Sequence, residues 1–185
     1  MVILERLFPD RIVRGILDVN LDELWANGIF GLILDIDNTL ARPGAPRPDG
    51  ETVRWLMAAR ERGFLVCLLS NAGRRRVAAF SSGLGLPAIA NAKKPGRHGF
   101  LKALRLLGLE AGQACMIGDQ LFTDVCGAKN LGIFAIYAKP ITLWEVFTVM
   151  LKRLPEALAL KLYAHESDQK RRARADGGRG GAADR

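Results

Sequence analysis

The sequence predicts an α/β protein built on a mostly parallel sheet, and three observations predict it. Short, unbroken apolar runs recur along the chain, most of them closed by a polar residue: Gly31–Leu34 before Asp35, Phe64–Leu69 before Ser70, Ala114–Ile117 before Gly118-Asp119, and Ile133–Tyr137. Runs of that length between polar stops read as strands buried on both faces. Segments of helical periodicity alternate with them, and a strand–helix–strand order demands right-handed crossovers that leave the strands parallel. At 185 residues, 49% hydrophobic and 25% charged, the chain has room for one ordinary globular domain. Collagen-like architecture and wholesale disorder are excluded on the same composition.

Element by element, Val53, Leu56 and Met57 share a helix face that ends before Gly63. Val77, Phe80 and Leu84 form a second face, Phe100, Leu101, Leu104 and Leu107 a third, and a short helix is expected from about Leu121 to Asn130. Pro87–Ala90 is a weaker strand candidate. Residues 1–140 are expected to hold the main domain, with 30–138 as its core. Beyond Ile141, Trp144, Phe147, Met150, Leu151, Leu154 and Leu158 recur at helical spacing among Lys152, Arg153 and Lys161. Residues 141–165 therefore read as amphipathic helices, either packed on the domain or lying in a membrane interface. The Arg- and Gly-rich stretch 166–185 reads as a disordered tail. No run of about 18 uncharged apolar residues is present, so no membrane-spanning helix is expected. The first residues do not have the form of a secretory signal. Cys67, Cys115 and Cys126 form no CxxC pair and share no ligand spacing with His98 or His165. They read as reduced thiols of a cytoplasmic protein rather than zinc ligands.

Open parallel sheets put their ligand sites beyond the carboxyl ends of the strands. Asp35, Ser70 and Asp119 each stand at such an end, so the topology gathers them on one edge. Asp35-Ile36-Asp37-Asn38-Thr39 sets two carboxylates two residues apart, and alternate side chains of an extended strand end point the same way. Like charges held that close need a proton or a cation between them. Gly118-Asp119-Gln120-Leu121-Phe122-Thr123-Asp124 adds two more carboxylates across a strand-to-helix turn. Carboxylates converging without His or Cys suit a hard cation such as Mg2+. Ser70-Asn71 offers a hydroxyl and turn amides to an anion, and Lys93-Lys94-Pro95 offers a cation in a loop that the proline holds extended. Each of these features also has a plain structural reading, as a turn, a cap or a solvated charge.

In this order the motifs carry a family resemblance. DIDNT, LLSN, KKP and GDQLFTD resemble the four motifs of the haloacid dehalogenase (HAD) superfamily, over residues 31–138. The finer resemblance is to its subfamily IIIA, the YqeG-like phosphatases, whose relatives in mitochondria and plastids dephosphorylate phosphatidylglycerophosphate. The resemblance implies a HAD-like Rossmannoid three-layer sandwich and a Mg2+-dependent phosphatase. On it, Asp35 is the nucleophile, Asp37 the general acid and base, and Thr39 a brace for their loop. Ser70, Asn71 and Lys94 bind the phosphoryl group, with Lys94 fitting the motif better than Lys93. Asp35, Asp119, Asp124 and the backbone carbonyl of Asp37 hold the metal. The intervals 35, 24 and 25 residues between Asp35, Ser70, Lys94 and Asp119 leave no room for a cap domain, so the site is expected to be open. The loop Ala41–Gly50 would border it.

The chain has 27 basic and 19 acidic residues, a formal charge of +8. Residues 35–165 alone reach +8 despite the four expected site acids. Arg42, Arg47, Arg74, Arg75, Arg76, Lys93, Lys94 and Arg97 all follow predicted strand ends, as a basic rim that could hold a doubly charged substrate or dock on anionic lipid. The leading expectation is a phosphatidylglycerophosphate phosphatase of phospholipid biosynthesis, peripheral on the inner membrane face. Two alternatives stay open: a phosphatase for a soluble sugar phosphate or nucleic-acid end, and a non-catalytic RNA- or ribosome-binding protein. Nucleic acid is the least favoured partner, because no RNA-binding module or interleaved aromatics are visible. A homo-oligomer is compatible with an uncapped site.

Overall fold

The computed structural model describes residues 6–142. Six strands form one parallel sheet in the order β1-β6-β5-β2-β3-β4: β1 Arg11–Val13, β2 Gly31–Leu34, β3 Leu65–Leu69, β4 Ala88–Ile89, β5 Ala114–Gly118 and β6 Phe134–Ala138. Central β2 pairs with β3 on one side and β5 on the other, Leu34 standing level with Leu68 and Ile117. The chain fills the β3 side first and then crosses to β5, so the strand order reverses at β2. That reversal opens a crevice at the carboxyl end of the central strands.

Helices cover both faces. Helix α1 spans Leu21–Ala26, α2 Gly50–Glu61, α3 Arg74–Ser82, α4 Arg97–Leu107 and α5 Cys126–Lys129. One apolar cluster joins Leu32, Leu34, Val66, Leu68, Cys115 and Ile117 of the sheet to Trp55 and Leu56 of α2 and Val77 and Phe80 of α3. The alternate residues Ile33, Cys67, Leu69 and Met116 turn to the opposite face, where Gly99 of α4 lies against Leu69. Three layers result, as the resemblance implied. Between β2 and α2 there is only a loop, and between β3 and α4 only α3 and β4, so no cap is inserted there.

Several elements depart from the sequence expectation. Strand β1 was not predicted: three residues with Arg11 at one end and mostly exposed side chains carry no apolar signal. Its place comes from pairing with β6 and from Asp10, whose carboxylate takes the Ala135 N–H at 2.8 Å and the Lys129 ammonium at 2.6 Å. The buried face of α2 is Thr52, Trp55, Leu56 and Ala59, while Met57 is 55% exposed. Trp55, one turn before Ala59, outweighs Met57 as the apolar anchor, and this rotates the helix. The expected helix over 121–130 opens instead as a π-turn, Leu121–Val125, before α5. The three cysteines are free, and burial pushes the Cys67 thiol up to about 11. No helix of the described residues is long and apolar enough to cross a membrane. The expected amphipathic segment, apart from Ile141 and Thr142, and the Arg/Gly tail lie outside the described residues.

Candidate active site

Asp35 follows β2 directly, and its N–H bonds the Ile117 carbonyl at 3.0 Å, extending the sheet by one residue. The chain then folds back on itself. Leu40 and Ala41 both donate to the Ile36 carbonyl, Asn38 donates to the Ala41 carbonyl at 2.7 Å, and Asn38 takes a φ of +66°. Asn tolerates that left-handed conformation better than other residues with a Cβ. The tight loop leaves Asp35 buried and Asp37 half-buried at its mouth.

Asp119 follows β5 and is fully buried. The π-turn then returns Asp124 beneath it, where Gln120 N donates to Asp124 Oδ2 at 3.1 Å. Inserted π-turns often occur where a side chain must be re-aimed at a functional site. The return is possible because residue 118 is glycine: a Cβ there would lie 2.7 Å from the Asp124 Cβ and closer still to its carboxylate. Ligand oxygens of Asp35, Asp119 and Asp124 all lie within 4.8 Å of one another.

Lys94 enters this group from the loop after β4. Its ammonium lies 2.5 Å from Asp35 Oδ1 and 2.6 Å from Asp124 Oδ1, with a side chain only 2% exposed. Lys93 beside it is exposed and has a φ of +54°, which settles the choice between the two lysines in favour of Lys94 as the one inside the cluster. Asn71 clamps that loop: its Oδ1 accepts the Lys94 N–H at 2.8 Å and its Nδ2 donates to the Lys94 carbonyl at 3.2 Å. The Asn71 carboxamide is therefore engaged in holding Lys94. Ser70 is buried, and its Oγ accepts the Ala72 N–H at 3.1 Å, leaving the hydroxyl hydrogen available to another acceptor. Thr39 is buried, and its hydroxyl has no hydrogen-bond partner among the described residues. The structure thus brings Asp35, Asp119, Asp124 and Lys94 together, with Asp37, Thr39, Ser70 and Asn71 in the loops that frame them.

Electrostatics follow from that packing. Burial pushes the Asp35 carboxyl up to about 7, with Lys94 opposing the rise and Asp124 adding to it. For Lys94, burial alone would depress the ammonium, but the Asp124 and Asp35 carboxylates outweigh it and hold the pKa above the ordinary value. One ammonium thus stands among three buried carboxyl groups, paired with Asp35 and Asp124. An all-oxygen donor set of that kind fits a divalent hard cation.

Two participants escaped the sequence reading of the site. Asn38 Oδ1 accepts from Thr142 N at 3.3 Å and Thr142 Oγ1 at 3.1 Å, tying the chain after β6 to the Asp35–Ala41 loop. Arg76, grouped with the rim in the sequence, instead donates to Asp37 Oδ1 at 3.0 Å. Its signal was present: Arg74, Arg75 and Arg76 fill the first turn of α3 with no acidic residue there, against the preference of a helix start for negative charge.

Known proteins resemble this chain in sequence and in fold. Residues 31–132 match the haloacid dehalogenase-like hydrolase family. The chain is 34% identical over 148 residues to the Bacillus subtilis (strain 168) protein named "Probable phosphatase YqeG", covering 80% of this chain and 86% of that one. It is 31% identical over 141 residues to the chloroplastic phosphatidylglycerophosphate phosphatase 1 of Chlamydomonas reinhardtii, covering 70% of this chain but only 52% of that longer protein. A crystal structure of a protein from Listeria monocytogenes serotype 4b superposes with a TM-score of 0.51 at 20% identity, over 71% of this chain and 98% of that one, a likeness of fold. The chain belongs to the haloacid dehalogenase-like hydrolase family and, within it, to the YqeG-like phosphatases.

Proposed function

We propose that this phosphatase hydrolyses phosphomonoesters through an aspartyl-phosphate on Asp35, with phosphatidylglycerophosphate as its substrate. The observation that carries the chemistry is the buried cluster of Asp35, Asp119 and Asp124, with Lys94 bridging Asp35 and Asp124. Asp35, Asp119, Asp124 and the Asp37 carbonyl would hold Mg2+, which when bound supplies positive charge against the phosphoryl oxygens. In the first half-reaction an Asp35 carboxylate oxygen forms a bond to phosphorus as the bond to the leaving oxygen breaks, and Asp37 gives that oxygen a proton. In the second, Asp37 takes a proton from water, the water oxygen bonds phosphorus, and Asp35 leaves as carboxylate with release of phosphate. Ser70 donates its hydroxyl hydrogen to a phosphoryl oxygen, and the Ala72 N–H aims that hydroxyl. Lys94, locked by Asn71, neutralises developing charge, a role whose loss costs about two to three orders of magnitude in comparable sites. Thr39 packs inside the loop that carries both aspartates.

The lipid reading rests on the similarity to a protein named for that activity and on the rim. Arg42, Arg47, Arg74, Arg75, Lys93 and Arg97 are exposed and form no ion pair among the described residues. Each such cation near an anionic surface contributes about 1 kcal/mol of attraction. The test is phosphate release from phosphatidylglycerophosphate in vesicles, with Mg2+ or with chelator, beside a panel of soluble phosphomonoesters. Wild type should prefer the lipid, require the metal, and lose turnover on Asp35→Asn. Undiminished release by Asp35→Asn would end the proposed chemistry, and a soluble ester outpacing the lipid would end the proposed substrate.

A further inference from the structure

We propose that Arg76 is a positioning residue for Asp37: it pins one carboxylate oxygen so that the other faces the leaving group and exchanges the proton. The inference rests on Asp37 being the proton donor, as proposed above. Asp37 Oδ1 accepts from Arg76 Nη2 at 3.0 Å and from the Gly44 N–H at 3.4 Å, two donors from two different segments on the same oxygen. Oδ2 takes no hydrogen bond from the described residues, so the two oxygens are chemically distinguished before substrate arrives. Arg76 is itself held, its guanidinium carbon 5.1 Å from the centre of the Phe80 ring, and Phe80 is a buried core residue of the same helix. The guanidinium is thus fixed at one end by the domain core and reaches Asp37 at the other.

Stability does not account for this arrangement. The paired side chains are 22% and 33% exposed, so water still screens the half-buried pair, and ion pairs that water reaches contribute about 1 kcal/mol or less. A cation in the first turn of α3 also opposes the helix dipole. Local rules broken without structural gain point to function. A proton-transfer group must be aligned to act, and general acid catalysis is worth roughly two to four orders of magnitude. Misaligning Asp37 should forfeit part of that, not all.

The test is a double-mutant cycle on kcat/KM with a substrate that wild type hydrolyses, using Asp37→Asn, Arg76→Leu and the pair. We expect Arg76→Leu to lower kcat/KM about tenfold or more in the wild-type background and less than about twofold on Asp37→Asn, because the group it positions is already disabled. Arg76→Lys, which keeps the charge, should recover part of the loss, and thermal unfolding of Arg76→Leu should match wild type. Where an aryl and an alkyl ester are both turned over, the Arg76→Leu loss should be larger for the alkyl ester, whose leaving oxygen needs the proton more. Equal losses from Arg76→Leu in both backgrounds would overturn the inference and make Arg76 an independent contact to substrate. Full activity of Arg76→Leu would also overturn it. Full activity of Asp37→Asn would instead remove the reading of Asp37 on which it rests, so the two failures are distinguishable.

Discussion

At the scale of single residues, the site is governed by carboxyl groups buried close to one another. Lys94 pairs with Asp35 and Asp124, and Asp119 sets a third buried carboxylate within 4.8 Å of theirs; like charges held that close favour a bound cation. A cation that binds the folded state alone stabilises it, by about 2.7 kcal/mol at a hundredfold excess over Kd. For a chain of this size that is roughly 5–10 °C in Tm. Gly118 tests whether Asp124 belongs to that set, since any side chain there collides with the Asp124 carboxylate. Gly118→Ala should reduce the Mg2+-dependent rise in Tm by half or more and lower turnover at least about tenfold. Thermal unfolding with Mg2+ and with chelator reads the first, and a rise equal to that of wild type would exclude Asp124 from the cation's neighbourhood. The motif made the aspartates visible in the sequence. That Asn71 holds Lys94, and that Arg76 holds Asp37, was hidden because both pairs join residues 23 and 39 positions apart.

Among elements, the helices fall into two kinds. Helix α2 follows local rules: Asp49 caps it, accepting the Thr52 N–H at 2.8 Å, and Glu51 stands in its first turn. That hydrogen bond holds the Asp49 carboxyl below its ordinary value of 3.8. A carboxyl depressed in the folded state adds stability that is complete above its unfolded pKa and is lost as pH falls through the folded one. Asp49→Ala should cost about 1 kcal/mol near neutral pH. The gap between the two proteins should narrow as the pH drops below 3.8, which paired denaturant titrations at pH 7 and at low pH would measure. A gap independent of pH would assign the cost to the side chain's contacts and not to its charge. Helix α3 breaks the same rules, with a glycine N-cap that makes no side-chain bond and arginines where acids are favoured. The π-turn before α5 is a similar departure, and it exists to return Asp124 to the site. Periodicity alone reads such a segment as a helix, because one extra residue in a turn leaves its apolar pattern almost unchanged.

For the molecule as a whole, the charge of +8 has a location. Arg74 and Arg75 stand exposed at the start of α3, on the edge where Asp35 and Asp119 end their strands. Replacing both by Glu should strengthen the helix, by about 0.3–1 kcal/mol each through the dipole, while weakening attraction to an anionic surface by at least 2 kcal/mol in all. The expected outcome is a protein as stable as wild type or more so, with vesicle binding weakened about thirtyfold or more on anionic lipid and unchanged on neutral lipid. Sedimentation with the two vesicle types beside thermal unfolding measures both, and unaltered binding would detach the rim from any lipid surface. The sequence by itself determined the parallel α/β class, the four central strands and the acids and lysine at their ends, because each is written in short apolar runs and the polar residues that stop them. Tertiary structure alone decided the edge strand β1, the rotation of α2 onto Trp55, the clamp of Asn71 on Lys94 and the partnership of Arg76 with Asp37. Those outcomes depend on which groups meet after the sheet has assembled, and the energies that select them, burial of an aromatic ring or pairing of a desolvated charge, do not exist until the distant segments are in contact.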